Sequence, residues 1–311
     1  MQEFEELYEL VNNLVQIENR TDEAHCLNLL QLKLAEIEKI RSSLSSEDEK
    51  LYKERFRNYK DLIPILHQCP FGKYVNDKPR GYPGDFITQE MIISGRKFIK
   101  DRYIGDTPIG RLLSSLTYNM AACAANDFRL QYIKSQLKQS GEDIASIGSG
   151  SAIEYWDIEE DFINTRSILL IDQDRGALES AKFHIKNTAN NFVFHTDNIL
   201  KFILCNNKRA SFSERDFIYL LGLLDYFSIK QSSKIVSSLW KDVKPNGKLL
   251  LTNAHPSNPT RLWMEYVSEW YLDYKSKDEV YQIVENLNDI NKIDYEIDEF
   301  GVYQYLTIYK N

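Results

Sequence analysis

Gly148, Ser149 and Gly150, with Asp172 at the end of the next apolar run, have the residue types and spacing to hold a nucleoside. The run Asp143-Ile144-Ala145-Ser146-Ile147 predicts one buried strand of a parallel sheet. Two glycines one residue apart follow, and Ile153 to Asp161 is expected to begin a helix. Strand, bare turn and helix together bring main-chain N–H groups close to a ligand. A second buried strand, Ser167 to Ile171, ends in Asp172, whose carboxylate at the strand tip can accept from both ribose hydroxyls. Gln173 beside it is a further polar candidate.

The kind of nucleoside follows from missing residues. A dinucleotide fingerprint needs a third glycine where Ile153 stands, and no Lys-Ser or Lys-Thr follows to make a phosphate-cradling loop. A shortened Gly-x-Gly with a downstream ribose acid suits S-adenosylmethionine (SAM) in Rossmann-like methyltransferases, because SAM has no pyrophosphate. Gly-Ser-Gly also serves in ordinary turns, so this reading depends on the elements around it.

Those elements can be laid out in order. Residues 3 to 18 carry an apolar helical face, a second helix is expected from a cap at Asp22, and Ser46-Glu47-Asp48-Glu49 reads as a capping box opening a third. From Pro70 the character changes, and Lys78 to Phe86 alternates prolines and glycines, which excludes helix and central strand. Arg80 and Tyr82 in this loop are candidates for an acceptor site. Helices are expected at about 88–99 and 108–139, the latter carrying Tyr118. A helix from Ala177 to Asn187 and a strand from Phe192 to Thr196 follow Asp172. Further strands are expected at Asp216 to Leu221 and Lys248 to Thr252, with the turn Lys244 to Gly247 between them. A terminal hairpin, Lys292 to Ile297 and Val302 to Tyr309, completes the inventory. The expected fold is α/β: a mostly parallel Rossmann-like sheet ending in an antiparallel hairpin, at 126–311, behind an N-terminal helical domain, 1–125.

In such a sheet ligands bind beyond the carboxyl ends of the strands. The polar residues there are Asp197 and Asn198, either an adenine contact or a helix cap; Gly222, Asp225 and Tyr226; and His255.

Taken as a set, Ser146 to Ala152, Leu170 to Asp174 and Ile218 to Tyr226 resemble the motifs of one bacterial group of class I SAM-dependent methyltransferases. That group includes enzymes of extracellular-factor biosynthesis that form 3-hydroxypalmitic acid methyl ester. Lys78 to Asp85 matches the group's Lys-Pro-Arg-Gly-Tyr-x-Gly-Asp stretch, and Trp270 to Tyr274 its Trp-x-Leu-x-Tyr. The resemblance spans about residues 70–311. One departure is Ser146, where the group has an acid two places before the first glycine.

The resemblance implies methyl transfer from SAM to a small or lipid-like acceptor, most simply at a carboxylate or hydroxyl oxygen. A carboxylate needs no base, whereas a hydroxyl gains roughly 10²–10⁴-fold from one. His255 and Asp225 are the base candidates, and Tyr226, Tyr82 and Tyr118 candidates to orient an acceptor. Pro256 to Tyr274 is rich in aromatic residues, Trp263 among them. They form either an acceptor wall or the packing between helical and sheet domains. Rival readings are a nicotinamide-dependent reductase, a protein or RNA methyltransferase, and a non-catalytic SAM-binding module.

Composition narrows the class. The 311 residues carry a formal net charge of −8 and are 43% hydrophobic. No basic stripe suggests nucleic acid, and the four scattered cysteines and five histidines suggest neither a metal site nor disulfides. No signal-peptide core or membrane-spanning run is found, so a cytoplasmic location without stable membrane insertion is expected, and an oligomer is not excluded.

Overall fold

The computed structural model describes residues 2–16, 23–97, 104–159, 162, 165–185, 191–198, 200–201 and 214–311. The expected cap Asp22 and the expected helix ends at Asp161, Asn187 and residue 99 lie outside them. The chain divides into two compact units: residues 1–126 with 259–271, and residues 127–258 with 272–311.

The first unit is helical: α1 (Gln2–Gln16), α2 (Glu23–Ser42), α3 (Ser46–Arg57), α4 (Leu62–Leu66), α5 (Pro70–Asp77), α6 (Phe86–Lys97), α7 (Pro108–Tyr118) and the start of α8 (Ala121–Lys138). The cap of α3 is Ser45, one residue before the expected box; its Oγ accepts from the Asp48 amide. Residues 70–77 form a helix because Pro70 suits a first turn, where its missing N–H is no loss. The chain then leaves α5 through Lys78 at φ +48°. The glycine-proline run turns as expected, and Asp85 closes it: Oδ1 accepts from the Thr88 amide at 2.8 Å, starting α6. The helix expected over 108–139 is two helices. Asn119 ends α7 by folding its amide side chain onto Ser115 O at 2.8 Å.

Pro259–Tyr271, which the sequence reading groups with the sheet domain, packs in the helical unit. Its residues Trp263–Val267 form a π-turn, with Ser268 N bonded to Trp263 O at 3.2 Å. Carbonyls released by the turn are recovered by side chains: Arg57 Nη1 donates to Tyr266 O and His67 Nε2 to Val267 O, both at 2.7 Å. The Tyr266 ring meets Phe56 edge-on at 5.5 Å.

The second unit holds one seven-stranded sheet, in the order β3-β2-β1-β4-β5-β7-β6. The strands are β1 (Asp143–Ile147), β2 (Ser167–Asp172), β3 (Phe192–Thr196), β4 (Arg215–Leu220), β5 (Val243–Ala254), β6 (Ile290–Ile297) and β7 (Tyr303–Lys310). The first five pair in parallel, while β7 is antiparallel to both β5 and β6. The expected turn Lys244 to Gly247 is an excursion within β5, visible as a jump in register from Val243 to Lys248. Order reverses beside β1, so the crevice rule points to the tips of β1 and β4.

Among the described residues the strands are joined by α9 (Arg175–His184), α10 (Ile229–Trp240) and α11 (Lys277–Val284). One face of the sheet (Ala145, Ile147, Ile218, Leu220, Leu249, Leu251) is buried against Ile235, Val236 and Leu239 of α10 and Val280 and Ile283 of α11. The other face meets α8, whose Gln136 accepts from Lys248 Nζ at 2.7 Å. Capping boxes start α10 at Ser228–Gln231 and α11 at Ser276–Glu279. Among the described residues no helix is long and apolar enough to cross a membrane.

Candidate functional site

At the tip of β1 the chain turns with Gly148 at φ +70° and Gly150 at φ +56°, backbone that side chains with a Cβ rarely adopt. Gly148 and Ser149 both donate their amides to Ile171 O, at 2.9 and 3.0 Å, which ties the turn to β2. Asp172 completes the union. Its Oδ2 accepts from Gly150 N and its Oδ1 from Asp174 N, each at 2.8 Å. Turn and carboxylate are therefore one hydrogen-bonded piece. Burial pushes the Asp172 carboxyl up, against the pull of the Asp174 and Gly150 amides. Each of its oxygens has a further lone pair for a hydroxyl donor. Inside the turn, the buried Ser151 hydroxyl has no partner among the described residues.

Among the described residues the helix expected from Ile153 begins as a 3₁₀ turn, Ile153–Tyr155. Ala152, at φ +49°, redirects the chain before a helix can form. Gln173 is exposed, and Asp174 caps α9 through the Gly176 amide at 2.8 Å.

The β3 tip gives both expected residues local roles. Asp197 Oδ1 accepts from Asn198 N at 2.8 Å, and Asn198 Oδ1 from Lys201 N at 3.0 Å, as a helix cap does. Main-chain bonding of Asp197 N to Asp172 O at 3.1 Å keeps this tip beside the β2 acid.

At the β4 tip, Gly222 has φ +74° and donates to Thr252 Oγ1 at 2.8 Å. A Cβ there would lie 3.1 Å from Arg129 Nη1 and 3.4 Å from Asp225 Oδ2. Asp225 is buried, and its Oδ1 accepts from Asn253 Nδ2 at 2.8 Å and Ala254 N at 2.7 Å. The carboxylate thus joins the tips of β4 and β5. Burial raises its pKa to about 6, against the Ala254 N–H and the charges of Arg129 and Lys275. An acid held above its unfolded value gives up its proton in the unfolded chain first. Stability from this group therefore falls as pH rises from about 4 through 6, by about 3 kcal/mol in all. Urea unfolding across that window should show the parent losing stability relative to Asp225→Asn by about that amount. Parallel pH curves would contradict it.

Tyr226 is 41% exposed at the same tip. His255 lies past β5, its Nδ1 2.6 Å from Ser257 Oγ, which in turn donates to Gly301 O at 2.9 Å. Burial lowers the His255 pKa, favouring neutral imidazole.

One cluster escaped the sequence reading. Glu154, within the 3₁₀ turn, is buried and accepts from Tyr219 Oη at 2.6 Å, and Tyr155 Oη is 3.1 Å from the same hydroxyl. Tyr219 is the register partner of Ser146. A carboxylate thus returns to the β1–β4 pair from a different position in sequence. The available signal was an acid just past the glycine turn, but polar residues there usually face water.

Arg80, Tyr82, Tyr118 and Trp263 belong to the helical unit. Arg80 is exposed and its guanidinium lies 4.9 Å over the Phe86 ring, while Tyr82 is half-buried. Tyr118 is core: a Cβ on Gly95 would sit 2.4 Å from its ring, and Phe71 meets it edge-on at 5.8 Å. Trp263 is buried in the π-turn, where its Nε1 has no partner among the described residues. Among those residues no group of three or more His, Cys, Asp or Glu could hold a metal ion.

The fold is that of Rossmann-like class I methyltransferases. It is similar to a possible exported protein from Bordetella parapertussis, at 15% identity and a TM-score of 0.58, over 79% of this chain and 88% of that one. It is also similar to magnesium protoporphyrin IX methyltransferase (ChlM) from Synechocystis PCC 6803 with bound S-adenosylhomocysteine (SAH), at 11% identity and a TM-score of 0.51, over 78% and 99% of the two chains. No protein-family model and no curated protein sequence matches the chain.

Proposed function

We propose that this chain is a SAM-dependent methyltransferase acting on a small or lipid-like acceptor, with transfer to a carboxylate or hydroxyl oxygen. The observation that carries the reading is the joining of Asp172 to the Gly148–Gly150 turn by a 2.8 Å bond at the sheet's switch point. The residues present fit the cofactor: a bare turn lets the nucleoside approach, the Ser151 hydroxyl has no partner among the described residues, and Asp172 offers ribose acceptors. Asp197 and Asn198 would face the adenine side and Gly222 the amino-acid side, with Gln173 at the rim. When bound, SAM supplies an electrophilic methyl group for in-line displacement. The chain's part is alignment, which can supply roughly 7–11 kcal/mol of the barrier.

For a hydroxyl acceptor His255 is the base of choice, since its imidazole is neutral near pH 7 and Nδ1 is engaged by Ser257. Asp225, with Oδ1 committed to two donors, positions the strand tips, and Tyr226 orients the acceptor. On the helical unit, Arg80 and Tyr82 are the proposed acceptor contacts, whereas Tyr118 and Trp263 are buried in its core.

Calorimetry of the intact chain with SAM, SAH and NAD tests the class. Binding of SAM and SAH but not NAD is expected; binding of NAD alone would make the reductase reading correct. A methyl-transfer screen over hydroxy fatty acids and small phenols should then give methyl ester or ether products. Transfer only to protein or RNA would refute the small-acceptor reading.

A further inference from the structure

The β4 tip carries a charge arrangement that the reading above does not use. Arg129, from the part of α8 in the sheet unit, places its guanidinium 4.5 Å over the Tyr303 ring at the start of β7. From there Nη1 reaches the β4 tip, 3.1 Å from where a Cβ on Gly222 would stand. Any residue but glycine at 222 would press on that nitrogen. Asp225 Oδ2 would lie 3.4 Å from that same Cβ, and the arginine's charge acts on two buried acids, Asp225 and Glu154. Both acids are already engaged, Glu154 Oε1 by Tyr219 and Asp225 Oδ1 by Asn253 and Ala254. A guanidinium has five donors in a planar fork, enough to face an acid and still grip a carboxylate.

We infer that Arg129 anchors the α-carboxylate of the cofactor's amino-acid end, with Glu154 on the side of its ammonium group. This rests on the SAM reading and deepens it. A cation accompanied by buried acids matches a zwitterion, whereas a neutral ligand end would gain nothing from it. Gly222 supplies the space through which the carboxylate approaches the fork. The acid missing at Ser146 is then made good by Glu154, reached through Tyr219. Arg129 touches no transferring atom, so its effect falls on cofactor affinity and selectivity.

The test compares SAH with 5′-methylthioadenosine, which keeps the adenosine and thioether but lacks the amino-acid end. In parent protein both are expected to bind. Arg129→Met should weaken SAH roughly 10–100-fold, the scale for losing a charge-assisted pair, and leave methylthioadenosine within about twofold. Arg129→Lys, which keeps the charge, should recover part of the SAH affinity and serves alone if the methionine variant does not fold. Unchanged SAH affinity in either variant, or equal weakening of both ligands, would overturn the assignment of Arg129 while leaving the SAM reading intact. Failure of the parent to bind either ligand would remove both.

Discussion

Asp172→Ala is expected to weaken SAH binding by about 1–3 kcal/mol, roughly 5- to 150-fold, the scale for hydrogen bonds to a charged group. The carboxylate holds the glycine turn through Gly150 N and the start of the α9 cap through Asp174 N. Removing it therefore also lowers stability, by about 1–3 kcal/mol for the donors left without acceptors. The two effects separate in a ligand comparison. Adenosine should bind the parent more tightly than 2′-deoxyadenosine, because the 2′-hydroxyl loses its acceptor. In folded variant the two should bind alike. A variant that still prefers adenosine would show that another group reads the ribose.

Lys275→Met carries the second large effect, on stability. Lys275 is 1% exposed, and its Nζ donates to Leu224 O and Asp273 O, each at 3.1 Å. Its main chain joins the same corner: N donates to Asn253 Oδ1 at 3.1 Å, and O accepts from Gln304 Nε2 at 2.6 Å. Burial lowers the lysine pKa, with the charges of Asp273 and Asp225 acting the other way. Methionine fills the stem's volume but removes the buried charge and one of two donors from each carbonyl, Leu224 O keeping Phe227 N and Asp273 O keeping Asn253 Nδ2. The expected loss is on the order of 2–4 kcal/mol in denaturant unfolding. A change below about 0.5 kcal/mol would mean that water or a neighbour replaces the ammonium without penalty.

The sheet was legible because its central strands are short apolar runs bounded by polar tips. Ser167 to Asp172 and Phe192 to Thr196 read as strands and are strands. The terminal hairpin showed as two alternating runs about the turn Asp298 to Gly301, and it is the antiparallel pair β6–β7. Helix ends were less legible. Nothing in the sequence around Asn119 and Met120 breaks a helix by composition, and the break is made by a side chain folding onto the backbone. Ile153 to Asp161 carries helical spacing, but Ala152 in a left-handed conformation sends the chain elsewhere. The candidate residues split along the same line. Gly148, Gly150 and Asp172 stand at strand tips, where spacing reveals them. Arg129 and Lys275 act through approaches across the fold, and no local spacing marks an arginine inside a helix or a lysine after a tyrosine. Asp225 was visible as a tip acid, yet its two donors come from β5, so its bonding emerged only with the sheet assembled.

A crystal structure of the chain with SAH bears most directly on the claim that the β1 turn and the β2 acid jointly hold an adenosine. The expected result is the nucleoside against Gly148–Gly150, with its ribose hydroxyls about 2.6–3.0 Å from the Asp172 carboxylate. An adenosine bound away from that turn, or a ribose whose hydroxyls leave Asp172 untouched, would contradict it.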